Sequence, residues 1–523
     1  MRPPSRLRSA LRGLLAAALL SLVGASGCGK GVAPYESVEL APIELSPRCM
    51  QALEERDPAS RNDAPAPLEQ RLEVAEDPVV ETLPKGVRLV FQRTPRSALK
   101  SLSWGFPLPA GAADASSSEA SVDPSLVAAL LQAGETTAEP DRFRSRVLAA
   151  GAELGTMVTG GWLWLEMRFP EASTERAHGL FFEWLEPHPV AEDALEVVRR
   201  QWALTRLAEQ SAPGALAEEV FRRVHPAPPQ ALAAPAWGGA ASEPTPEEVQ
   251  SLLESVLRPD GSVAIVGGAS QPARGWIEAG LRAGVFGEAG AAPWPRSPER
   301  SPVDSRADTP QSADPVIYVV DRPGAPQVEM LVGYPTPAAL DAEFEALEML
   351  ASLLGGNVGG RLFRDLRERK GLAYIIDAEQ SHEGRFVVIT RARPERVAAL
   401  LTGIEAHLHA LVSVPLEACE IEMLVDRRLG EEALLAADPT AARQRARIDV
   451  ALRGTPRSAA FERARIVDAV VLGLDEVARR RLDGPPTVVL VGDASGIADG
   501  LARSFPDRVV RVLAPDLSDL SRR

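Results

Sequence analysis

The sequence predicts an α+β protein made of two copies of one domain, and three observations carry that reading. Strands occur in hairpins with helices interspersed, as in "LAYIIDAEQSHEGRFVVITRA" (372–392), which favours an α+β layer over a doubly wound parallel sheet. Two long segments share matched landmarks at both ends, the mark of an internal repeat. The composition is globular, with 45% apolar and 25% charged residues in 523, so there is material for more than one buried core.

The first segment opens "VRLVFQRTPRSALKSLSWGFPLPA" from Val87, and the second opens "VIYVVDRPGAPQVEMLVGYPTPA" from Val316. Each reads as a strand, a turn holding Arg and Pro, a second strand, and a Pro. Near their ends stand "LRPDGSVAIVGG" from Leu257 and "RLDGPPTVVLVGD" from Arg481, each a turn leading into a buried Val-rich strand and a Gly. The offsets from Val87 to Val316 and from Val263 to Val488 are nearly equal, so the landmarks are in register.

Helices fill the space between. In "FEALEMLASLLGG" the residues Phe344, Leu347, Leu350, Ala351 and Leu354 recur at helical spacing and form one apolar face, which Gly355 and Gly356 terminate. A shorter helix is expected over "RLFRDLRERKG", stopped at Gly371. The parallel pieces of the first copy are "PSLVAALLQAG", "DRFRSRVLAAGAELGT" and "GWLWLEMRFP". Thr245, Pro246 and Glu248 supply an N-cap, a Pro at the first helical position and a reciprocating Glu before "VQSLLESVL". The run "GGNVGG" (355–360) predicts a tight helix-to-helix connection whose glycines adopt positive φ.

The N-terminus has export grammar. Arg2, Arg6, Arg8 and Arg12 precede a short apolar run, and Ala25-Ser26-Gly27 lead into Cys28. The run is too short for a stable bilayer span. Small residues just before a Cys resemble a bacterial lipobox, although Leu is more usual where Ala25 stands, so Cys28 is the expected lipidation site. Acyl chains there would anchor the chain, each buried methylene contributing about 0.8 kcal/mol. The expected organisation is a signal peptide over 1–27, a Pro- and acid-rich tether over 28–75, a domain over 76–290, a linker over 291–315 and a second domain over 316–515.

Several function classes are excluded. A net charge of −15 without a basic run beyond the leader argues against nucleic acid, because phosphate binding needs a basic face. Cys49 and Cys419 are too few and too distant to suggest a disulfide framework, and no Cys-x-x-Cys exists for a metal. The six histidines are His178, His188, His225, His382, His407 and His409. They read as surface or partly buried residues without metal, since His407 and His409 in a helix face different ways. Neither a G-x-S-x-G elbow nor a Walker loop is present.

The two-copy arrangement and "GGRLFRDLRERKGLAY" (359–374) resemble the insulinase/pitrilysin family of zinc peptidases, in its mitochondrial-processing-peptidase-like branch. The resemblance covers roughly residues 76–515, and "LPKGVRLVFQR" and "FRRVHPAPP" look like further landmarks. It implies two domains, each an antiparallel-rich sheet backed by helices, closing as a clamshell around an extended peptide. Active members carry His-x-x-Glu-His and a later Glu in the first copy. Here the corresponding positions fall near Ala128, Leu131 and Gln132, and the later helix offers Leu204 and Thr205 where a ligand is expected, with Glu209 beyond them. Zinc needs imidazole or carboxylate lone pairs, and residues 87–177 contain no His. No metal or other cofactor is therefore expected on this chain.

The second copy keeps what the first lacks. Arg367 and Tyr374 match the Arg and Tyr that active members place over the catalytic centre, where the resemblance gives them substrate contacts and a role in steadying charge on the scissile carbonyl oxygen. Read by themselves, they would be a solvated helix residue and a strand residue in the core. The resemblance also allows the glycine run at 355–360 a part in handling substrate. Two functional expectations stay open. One is a non-catalytic subunit, lipid-anchored at the periplasm-facing outer membrane of a bacterial envelope, which contributes substrate contacts to a zinc-bearing partner. The other is a structural or peptide-binding pseudopeptidase scaffold with no part in hydrolysis.

Overall fold

The computed structural model describes residues 78–92, 99–108, 122–226, 244–259, 261–267, 272–282, 315–355 and 359–520. The expected signal peptide, Cys28, the tether and the linker at 291–314 lie outside the described residues.

The first copy runs β1 (Val79–Thr82), β2 (Arg88–Gln92), β3 (Leu99–Pro107), α1 (Pro124–Ala133), α2 (Pro140–Ala149), β4 (Glu153–Thr159), β5 (Trp162–Pro170), α3 (Thr174–Leu185), α4 (Glu192–Gln210), α5 (Pro213–Val224), α6 (Pro246–Val256), β6 (Val263–Gly267) and α7 (Pro272–Arg282). The second runs β7 (Val316–Asp321), β8 (Val328–Pro335), α8 (Phe344–Leu354), a π-helical turn (Phe363–Arg369), β9 (Ile375–Ser381), β10 (Arg385–Ala392), α9 (Val397–Ser413), α10 (Ala418–Ala437), α11 (Pro439–Arg453), α12 (Ala459–Leu472), α13 (Leu474–Arg481), β11 (Thr487–Gly492), α14 (Ala494–Ser504) and β12 (Val509–Leu513). Helix starts follow local chemistry. Asp123 accepts from the Ser125 N–H ahead of Pro124, and Thr245 and Glu248 form the reciprocal box anticipated from sequence.

Each copy forms a six-stranded sheet, in the orders β1-β2-β6-β3-β5-β4 and β12-β7-β11-β8-β10-β9. Five strands correspond one to one, β2-β6-β3-β5-β4 with β7-β11-β8-β10-β9. In both, the first and last of these five strands along the chain (β2 with β6, β7 with β11) pair in parallel and the remaining shared pairs are antiparallel. The sixth strands break the symmetry: β1 pairs antiparallel with β2, whereas β12 pairs parallel with β7. The result is the expected two-domain α+β clamshell of antiparallel-rich sheets backed by helices.

One face of each sheet is covered by its own helices, and the opposite face by a helix of the other copy. Alternation along β7 sends Ile317 and Val319 to the helix-backed core and Tyr318 and Val320 to the far side. There Leu216, Val220 and Phe221 of α5 pack on them. Reciprocally, Ala446 and Val450 of α11 pack on Val90, Trp162, Trp164, Val263 and Ile265. Strands buried on both faces read as unbroken apolar runs, which explains "VAIVG" and "VVLVG". Around α11 the contact is also ionic. Arg443 and Arg447 reach the two oxygens of Glu166 at 2.5 and 2.9 Å, and Arg443 donates to Ser101 Oγ at 2.8 Å.

Three expectations need correction. Cys419 is disulfide-bonded, where the sequence suggested no disulfide framework. The glycines at 355 and 360 do not take positive φ. They are required by close approach instead: a Cβ on Gly355 would lie 2.1 Å from the Ala378 nitrogen and one on Gly360 2.5 Å from the Gly355 oxygen. Finally, His178 and His407 are fully buried rather than at or near the surface.

Candidate functional site

The motif at 359–374 divides into residues that hold the fold and residues that face solvent. Leu362 and Leu366 sit in the second core, and Leu366 lies against the helix α9 where Gly403 leaves room for it. Arg361 is buried and its guanidinium reaches Glu420 Oε1 of α10 at 2.5 and 3.2 Å. Asp365 is buried as well. Its carboxylate accepts from Lys370 Nζ at 2.8 Å, lies 3.0 Å from His407 Nε2, and pairs with Arg369. Burial alone would raise the Asp365 carboxyl, but these partners together hold it well below the usual carboxylate range.

The Asp365 contacts depend on the backbone. Over Phe363–Arg369 the chain winds as a π-helix, a rare form that often marks a functional segment. It closes with the Lys370 N–H on the Asp365 carbonyl and the Leu372 N–H on the Leu366 carbonyl. Gly371 then takes φ +59°, a left-handed turn that a side chain would strain. The turn delivers Tyr374 to the head of β9, the edge strand of its sheet.

Arg367 and Tyr374 meet at the surface. The Arg367 guanidinium carbon lies 4.4 Å from the Phe363 ring centre and 5.3 Å from that of Tyr374, and its Nε is 3.5 Å from Glu368. Tyr374 is 76% exposed, so it is not the core strand residue that its position alone suggests. Ring contacts orient the guanidinium without consuming its donors. Together the pair lies beside the start of the edge strand β9.

The first copy offers no counterpart for a metal. Ala128 and Leu131 on α1 are buried in the first core. Gln132 donates from Nε2 to the Leu154 carbonyl at 2.7 Å and accepts from Thr156 Oγ1 at 3.2 Å, tying α1 to the edge strand β4. On α4, Thr205 bonds its own helix at the Gln201 carbonyl, and Leu204 and Glu209 are exposed. That helix docks on the start of α1 through Trp202 Nε1 to Ser125 Oγ at 2.9 Å and through Arg206 to Asp123. Zinc does not fit here: methyl, isobutyl and carboxamide groups occupy the positions its ligands would need. Among the described residues no cluster of three His, Cys, Asp or Glu is placed to hold a metal.

The positions where the resemblance places zinc ligands are thus filled by packing residues. Residues 245–427 match the family described as "Peptidase M16 inactive domain", a span that includes Arg367 and Tyr374. A protein of Streptomyces coelicolor called an uncharacterised zinc protease is 28% identical over 184 residues, 34% of this chain and 40% of that one. The match therefore spans well under half of that relative's length. Among solved structures, a protease from Helicobacter pylori superposes with a TM-score of 0.64 at 17% identity, over 80% of this chain and all of that one. The periplasmic protease PqqL from Escherichia coli superposes with a TM-score of 0.57 at 11% identity, over 94% of this chain and 51% of that one. The chain therefore shares the fold of these structures, and its residues 245–427 resemble the M16 inactive domain.

Proposed function

We propose that this chain is the non-catalytic subunit of a two-chain zinc peptidase, in which Arg367 and Tyr374 contact an extended peptide cleaved at a metal held by the partner. The carrying observation is the asymmetry of the two copies: Arg367 and Tyr374 are assembled with the tyrosine exposed, while Ala128, Leu131 and Gln132 stand where the resemblance expects metal ligands. The domain limits that suit this reading are 76–290 and 316–515, joined by the linker. Anchorage through an acylated Cys28 at the periplasmic face of the outer membrane accords with the leader sequence. A disulfide at Cys419 suits an oxidising compartment, and one structural neighbour is a periplasmic protease.

The test is reconstitution with the zinc-bearing companion recovered from the native host. Arg367→Ala and Tyr374→Phe should each lower peptide cleavage by about tenfold or more, the scale of a lost transition-state donor, while the two chains still co-purify. Unchanged rates would remove the substrate role. One observation favours a second reading, a pseudopeptidase scaffold: Arg361 and Asp365 of the same motif serve packing alone. Unchanged cleavage with intact assembly would support that alternative.

A further inference from the structure

A cavity of about 290 Å³ opens between α8, α10, α11, α12 and the β9–β10 turn. It is remote from the Arg–Tyr pair. Tyr374 precedes β9 and His382 of the cavity wall follows it, which places them roughly 26 Å apart at about 3.3 Å per strand residue. Much of the wall is apolar, from Phe344, Leu435, Ile448 and Leu452. The remainder is rich in guanidinium groups, with Arg428, Arg445, Arg453, Arg457 and Arg465 facing the carboxylates Glu348, Glu432 and Asp449.

Most of these cations are compensated. Arg428 lies 2.5 Å from Glu345 and 2.9 Å from Glu432, and Arg445 is 2.8 Å from Glu462. Arg457 lies 2.5 Å from Asp449, and Arg465 is 3.1 Å from Glu345. Arg453 differs. Among the described residues it has no ion pair within 4 Å: its guanidinium carbon lies 4.5 Å from the Phe461 ring centre, and Asp449 and Glu462 attract it from further off. Partial burial first, and then repulsion from Arg457 and Arg465, lower its pKa to about 10. The same wall therefore contains a cation without a direct ion pair among the described residues and an apolar floor.

We infer that this cavity is a binding site for a small monocarboxylate with a compact apolar body, its carboxylate pairing with Arg453. The wall carboxylates repel a multiply charged anion, which disfavours phosphate and dicarboxylates. The volume stands at the lower end for small-molecule sites, which limits the apolar part to a short branched chain. Two sources supply that chemistry, a free organic acid or the C-terminal residue of a peptide.

Calorimetric titration of the full-length protein with 4-methylpentanoate, its uncharged amide and a short peptide ending in leucine separates the outcomes. Either carboxylate should bind, and the one that binds names the source; the amide should not. Arg453→Gln, at a half-exposed residue without an ion pair, should weaken binding at least about tenfold, the loss of one charge-assisted hydrogen bond. Ala441→Phe, which fills the cavity from its rim, should abolish it. No binding of either carboxylate at millimolar concentration would overturn the inference. So would equal binding by the amide, or affinity unchanged in Arg453→Gln and Ala441→Phe.

Discussion

At the residue scale, the motif at 359–374 contains two kinds of arginine, and stability measurements should separate them. Arg361 and Glu420 form a pair whose side chains are each 9% exposed. Removing one member leaves a buried charge without a partner. Arg361→Ala should lower unfolding stability by about 3–5 kcal/mol, whereas Arg367→Ala, at a surface position, should stay within about 0.5 kcal/mol. Denaturant titration of the two variants checks this directly. The resemblance of the motif singled out Arg367 and Tyr374 as candidates, and the structure places their side chains side by side. The sequence could not reveal that Arg361 and Asp365 are interior residues, because their partners Glu420 and His407 lie far along the chain.

His178 carries a pH dependence. It is buried between Phe169 and Trp276, with ring centres 5.9 and 4.5 Å away, and its Nδ1 has no hydrogen-bond partner among the described residues. Desolvation lowers its pKa from 6.5 to about 4. The unfolded chain therefore binds the proton more readily between those values, so stability falls as pH drops through 6.5 towards 4. Between pH 7 and 5 the loss should be on the order of 2 kcal/mol from this residue. His178→Gln should flatten the stability profile over that range. Asp365, whose carboxyl is depressed, acts lower: its contribution is full above the ordinary carboxylate range and is lost as pH falls below about 4.

At the scale of elements, each sheet is completed by a helix from the other copy. Phe221 of α5 is fully buried against the second sheet, so Phe221→Ala should cost about 3–5 kcal/mol. The damage should appear in the second copy, as faster amide exchange along β7 and β11. Helices α5 and α11 were not read from the sequence, although Pro213 and Pro439 stand at their first positions. Which sheet each covers was not legible, because an apolar face does not name its partner. The double-sided burial of β6 and β11 was hinted by their Val-rich runs. The π-helical turn left no periodic signal, being only seven residues long.

At the scale of the whole molecule, the repeat fixed five corresponding strands in each sheet, and symmetry fails where the chain ends differ. The exchanged helices and the Arg443–Glu166–Arg447 cluster tie the copies together. The charged cavity escaped sequence reading because its arginines alternate with those at the interface along α11: Arg443 and Arg447 face the first sheet, and Arg445 and Arg453 the cavity. The central claim concerns a companion chain, and the most direct measurement is affinity purification of the tagged protein from membranes of its native host, followed by mass spectrometry. The account predicts a stoichiometric companion carrying His-x-x-Glu-His. Recovery of this chain by itself, or with proteins that lack that motif, would contradict it.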